Sequence, residues 1–140
     1  MTNISKETLH VQSNVEVMIE EEILVNKGII RLDENDVQKV RDASDFLDGA
    51  TVEGKSENLG ELANEAVAQI KNRHSNDKLA VLMLKMRVAQ GSDLLMEQFG
   101  AIHDLFEQLG EDILVMWGIE KDAPITDEIR ICAIGGFKKT

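Results

Sequence analysis

The chain has 140 residues, 26 of them acidic and 15 basic, for a formal net charge of −11. That length suits one domain able to bury roughly two-thirds of its unfolded surface, and 43% hydrophobic residues exclude wholesale disorder. An acidic total without a basic stretch argues against nucleic acid and membrane as partners, and no apolar run approaches the ~20 residues of a bilayer crossing. The single cysteine forms no internal disulfide and completes no cysteine zinc site, so the chain reads as cytoplasmic.

Residues 1–27 read as an N-terminal helical arm and 28–140 as the domain proper, since Pro124 is the only proline and no linker tract intervenes. In the arm, Val11, Val15, Met18, Ile19 and Ile23 fall at helical spacing over about residues 8–25. The alternation of Val15, Val17 and Ile19 fits a strand nearly as well. Asn26-Lys27-Gly28 supplies a stop, and Ile29–Leu32 a short apolar connector. Asp33 is placed to cap a helix whose stripe is Val37, Val40, Ala43 and Leu47. Gly49–Gly54 is a brief strand candidate. Leu59, Leu62, Ala63, Ala66, Val67 and Ile70 mark an amphipathic helix ended by polar Arg73–Asp77.

Leu79–Val88 reads as a strand with Leu82, Leu84, Met86 and Val88 on one side and Lys85 and Arg87 on the other. Gly91-Ser92-Asp93 opens a helix with Ser92 as cap, a stripe of Leu95, Phe99, Ile102, Phe106 and Leu109, and Gly110 as its stop. Ile113–Ile119 is apolar on both faces, the pattern of a central strand, with Trp117 in its core. After the Lys121–Thr126 turn, Glu128–Ile134 alternates with Ile129, Ile131 and Ala133 inward, and Gly135-Gly136-Phe137 ends the fold. Strand–helix–strand occurs twice, followed by a closing hairpin. The expected class is α/β, an α+β two-layer sandwich in which helices pack on a mixed sheet of about four strands.

Catalytic signals are sparse. His10, His74 and His103 are dispersed, Cys132 sits mid-strand as a small apolar filler, and no Gly-x-Ser-x-Gly elbow, Gly-x-Gly-x-x-Gly or Walker pattern occurs. No metal or cofactor is expected. The run Glu20-Glu21-Glu22 reads as a solvated helix face. Asp33 and Asp36, at i and i+3 where a helix begins, lie on the same side. As structure, one caps the helix and the other complements its dipole.

Gly28-Ile-Ile-Arg-Leu-Asp-Glu-Asn-Asp-Val37 resembles the synergy-loop motif of the bacterial tubulin homologue FtsZ, G-L-I-N-L-D-F-A-D-V. Gly49-Ala-Thr-Val-Glu-Gly54 resembles its G-x-A-x-G stretch, and Gly91-Ser-Asp-Leu94 its G-S/P-D-L helix opening. Ile113-Leu-Val-Met-Trp-Gly118 is similar to the I-I-F/W-G strand, and Asp127-Glu-Ile-Arg-Ile-Cys-Ala-Ile-Gly-Gly-Phe137 to D-E-I-R-V-T-V-I-A-T-G-F. The five pieces fall in family order over about residues 15–137.

The resemblance implies the C-terminal domain fold of the FtsZ/tubulin family, a cytoskeletal and cell-division setting, and no enzyme activity of the chain's own. These 140 residues contain no match to the family's G-G-G-T-G-T-G phosphate loop. In that family, GTP is sandwiched between subunits, and synergy-loop carboxylates of the next subunit orient the attacking water in trans. Asp33 and Asp36 match those positions. Arg31 replaces the usual Asn and Glu34 the usual Phe, so Arg31 either approaches phosphates or faces solvent. Two functions follow as expectations. One is binding or capping of an FtsZ-type GTPase filament through this segment. The other is a stand-alone self-associating or ligand-binding module, a homo-oligomer that reuses the fold.

Overall fold

The computed structural model describes residues 15–24, 28–92 and 96–139. Strands β1 (Gly28–Ile30), β2 (Phe46–Gly54), β3 (Lys78–Ala89), β4 (Leu114–Ala123) and β5 (Ile129–Lys138) form one mixed sheet in the order β1-β4-β3-β5-β2. β3 and β4 run parallel, and the other three neighbouring pairs are antiparallel. The four long strands match the expected number, and the apolar connector contributes a three-residue edge strand.

Alternation along β3 separates two cores. Leu82, Leu84, Met86 and Val88 meet helices α2 (Leu59–Arg73) and α3 (Met96–Leu109) through Ala63, Ala66, Val67, Ile70, Ile102 and Leu105. Burying side chains such as Val67 and Ile70 contributes about 1.5–3 kcal/mol each. Val81 and Met83 face the other way, onto Val37 and Val40 of α1 (Glu34–Asp42) and onto Val15, Ile19 and Ile23. Helices thus cover both sheet faces. Residues 15–18 are α-helical and Ile19–Ile23 form a π-helical turn, so the helical alternative holds in the part of the arm that is described. The rest of the expected arm helix, the Asn26-Lys27 stop, and the Asp93 and Leu95 positions lie outside the described residues.

Four expectations are corrected. Leu47 leaves the α1 stripe, because Ser44 donates its hydroxyl to the Val40 carbonyl (2.6 Å) and ends the helix. β2 therefore starts at Phe46, three residues before the expected strand. The closing hairpin does not form. β5 passes β4 and inserts between β3 and β2, which suits a strand buried along nearly its whole length. β4, in turn, is half uncovered: β1 pairs with it only at Ile119 and Glu120, leaving Leu114 51% and Trp117 36% exposed. Gly110, at φ +95°, closes α3 as expected.

Cys132 is fully buried beside Thr51, and burial pushes its thiol up to about 12. The thiolate is the reactive form, so Cys132 should give no reaction with a thiol reagent at neutral pH in the native state. One equivalent should react in denaturant. Reaction at the same rate in both states would mean that the strand opens.

Candidate functional site

Residues 30–36 are anchored at both ends. Ile30 pairs across to Ile119, and a Cβ at Gly118 would lie only 2.9 Å from the Ile30 carbonyl oxygen, so the chain hugs β4 as it descends. Leu32 is buried with Val37 and Val40. Between these anchors Arg31 is exposed and forms no hydrogen bond or ion pair with a described residue.

Asp33 then caps α1 in a reciprocal arrangement. Its Oδ1 accepts from the Asp36 backbone N–H (3.0 Å), while Asp36 Oδ2 accepts from the Asp33 N–H (3.0 Å). Two of the helix's otherwise unpaired N–H donors are satisfied this way, and both side chains are locked. Asp33 Oδ2 and Asp36 Oδ1 carry no bond from a described residue. The two carboxylates, Asp33 exposed and Asp36 half-buried, therefore hold their structural role and still keep one acceptor oxygen each that bonds no described residue. That geometry suits a water or a donor group on a partner.

A buried ion network lies behind the segment. Arg87 Nε donates to Glu120 Oε1 (2.8 Å) and its Nη1 to Glu22 Oε2 (2.7 Å). Arg130 Nη1 donates to Glu22 Oε1 (2.8 Å) and its Nε to Glu53 Oε1 (2.6 Å). Lys85 Nζ donates to the Ile23 carbonyl (2.9 Å). Burial works against the Arg87 charge, but the bonds to Glu120 and Glu22 outweigh it and hold its pKa above the usual value. Burial pulls Lys85 below its usual range, partly opposed by Glu120. Glu22 is thus no solvated residue, unlike its exposed neighbours Glu20 and Glu21, and it ties residues 15–23 to the sheet. Lys85 and Arg87, two charges on an otherwise apolar strand, were the available signal.

A second polar cluster was not foreseen. Asp48 Oδ2 accepts from Arg73 Nε (2.9 Å) and meets His74 Nε2 (2.8 Å), while the His74 ring packs tilted against both Phe46 and Phe137, which stack on each other. Arg73 Nη2 also donates to the Gly49 carbonyl (2.6 Å), and Asp48 Oδ1 accepts from the Gly49 N–H (2.8 Å). Backbone groups on the outer edge of β2 are thereby occupied, which blunts that edge. His103 pairs with Glu107 on the α3 surface (3.0 Å). Among the described residues no His/Cys/Asp/Glu group could hold a metal, and no helix is long and apolar enough to cross a membrane.

The sheet order and the helices on it define the class: this is the fold of the FtsZ C-terminal domain. No protein-family profile and no curated protein matches the chain. Solved structures do. An empty FtsZ dimer from M. jannaschii aligns with a TM-score of 0.55 at 18% identity, over 96% of this chain and 38% of that one. A tryptophan-to-tyrosine mutant of M. jannaschii FtsZ aligns with a TM-score of 0.58 at 14% identity, over 96% of this chain and 40% of that one. The likeness is therefore one of fold, and the chain spans about 40% of the length of those proteins.

Proposed function

We propose that this chain docks, through Arg31 to Asp36, on the nucleotide-bearing face of an FtsZ-type GTPase and caps or modulates its polymer in the cytoplasm. The observation that carries the reading is the carboxylate pair of exposed Asp33 and half-buried Asp36, each side chain locked by the other's backbone and each keeping one oxygen that bonds no described residue. Polymers of this kind grow by a heterologous contact between two unlike faces. The 140 residues offer the loop-bearing face and contain no glycine-rich phosphate loop, so a docked copy of these residues presents no second nucleotide face of its own. Any effect on GTP turnover is exerted in trans, with Asp33 Oδ2 and Asp36 Oδ1 orienting water or a donor at the partner's site.

The test adds the chain, below equimolar, to an FtsZ-type GTPase and follows polymer sedimentation together with GTP turnover. Wild type should lower the pelleted polymer. Asp33→Asn with Asp36→Asn retains capping oxygens, so helix content and Tm should hold. Hydrogen bonds to charged groups contribute about 1.5–3 kcal/mol each, so the paired change should weaken the polymer effect at least tenfold. Unchanged polymer and turnover at equimolar wild-type chain would overturn the reading.

A further inference from the structure

The two edges of the sheet are treated differently. β2 is blunted by Asp48 and Arg73, whereas no described strand pairs with β4 below Ile119 on its outer side. Along that open run Val115 and Trp117 lie on the α3 side, where Trp117 borders a cavity of about 340 Å³ with Phe99, Ile102, His103 and Phe106. Met116 lies on the opposite side, packed on the α1 core, and Leu114 is exposed. An open, apolar edge of this kind is a template for another strand.

We propose that the occupant is a second copy of this chain, joined by antiparallel pairing of the two β4 strands about a two-fold axis. The pattern is self-complementary. With the axis at Met116, Met116 faces its own copy, and Trp117 of each chain covers Val115 of the other on the α3 side. Pairing stops near Gly118, where β1 of the second copy takes the edge. Charge agrees with the same operator. Arg31, exposed and with no hydrogen bond or ion pair to a described residue, stands at the upper end of the run just beyond Ile30, and Glu111 and Asp112 are exposed at its lower end. A two-fold brings the lower end of each strand to the upper end of the other, so each Arg31 meets the Glu111–Asp112 pair across the seam. A second copy supplies the apolar and the charged match together. The proposal does not rest on docking on a GTPase, although the two surfaces share Arg31, so a dimer and a docked chain compete for that side chain.

A five-residue strand pairing buries less than the ~1,600 Å² of a standard interface, so the dimer dissociates in the micromolar range. Sedimentation velocity from micromolar to submillimolar chain should show mass rising from 15.6 kDa toward twice that value. Trp117 is the only tryptophan, and its emission should shift to the blue along the same curve. Trp117→Lys, at an exposed position, should fold normally and remain monomeric. Arg31→Glu should weaken the dimer about tenfold, and adding Asp112→Arg should restore it to within about threefold. A wild-type monomer throughout, or a dimer indifferent to Trp117→Lys, would overturn the proposal. So would a charge reversal that its partner fails to rescue. A monomer whose Trp117 is already shielded from iodide would overturn it too, by showing that the chain covers this edge itself.

Discussion

Arg87→Met should lower the free energy of unfolding by about 3–5 kcal/mol, the loss expected when one partner of a buried ion pair is removed. Glu120 is 0% exposed and would lose both bonds that its carboxylate accepts from Arg87, at 2.8 and 3.4 Å. Among the described residues Glu22 would keep only Arg130. The cost comes from carboxylates left charged away from water, so removing a carboxylate as well should reverse part of it. Arg87→Met with Glu120→Met should therefore regain at least half of the loss, because a packed apolar pair carries no desolvation penalty. Urea unfolding of the three proteins measures this directly. A single-variant loss under about 1 kcal/mol would mean that water reaches the network and screens it.

The same network marks where sequence patterning stops being informative. The alternation in β3 placed Lys85 and Arg87 correctly on the face away from Leu82, Leu84 and Met86, because a strand's period is set by its own backbone. Nothing local names their partners. Glu22 lies 65 residues from Arg87 and inside an acidic run whose other members are exposed, so its burial is decided by tertiary packing. Helices α2 and α3 were legible for the opposite reason, since their stripes are long and their partners are generic apolar surface. α1 was legible at its start, where Asp33 and Asp36 form a local motif. It was overrun at its end, where Leu47 falls by coincidence on the helical spacing while the Ser44 hydroxyl supplies the stop.

β4 shows the limit most clearly. Ile113–Ile119 has the composition of a central strand, yet its lower half stands at an open edge because β1 has only three residues. Strand neighbours depend on topology, and β5 took the central place that composition assigned to β4. For the candidate site, the sequence pointed to Asp33 and Asp36 as a pair, both as caps and through the resemblance. What it did not contain was their division of labour: one oxygen of each holds the partner's backbone, and the other bonds no described residue.

Substituting alanine for glycine should have opposite signs at two positions, and the contrast tests how tightly the central strand is held. Gly136 pairs with Leu47 on one side and Val81 on the other, and a Cβ there would lie 1.9 Å from Ser44 Oγ and 2.6 Å from Val81 Cγ1. Neither neighbour yields cheaply. Val81 is fully buried in β3, and Ser44 is fixed by its bond to the Val40 carbonyl at the end of α1. Overpacking of this kind costs about 1–3 kcal/mol, and with both walls fixed Gly136→Ala should reach the upper half of that range. Ser44→Gly in the same chain removes the nearer wall and should recover about half of it. Gly100, exposed within α3, has nothing within 4 Å of its added Cβ. Gly100→Ala should therefore stabilise by about 0.5–1 kcal/mol through helix propensity and the lost freedom of the unfolded chain. Thermal unfolding of both variants settles the point: equal shifts of one sign would mean that the strand relaxes around the added methyl and that β5 is not clamped between α1 and β3.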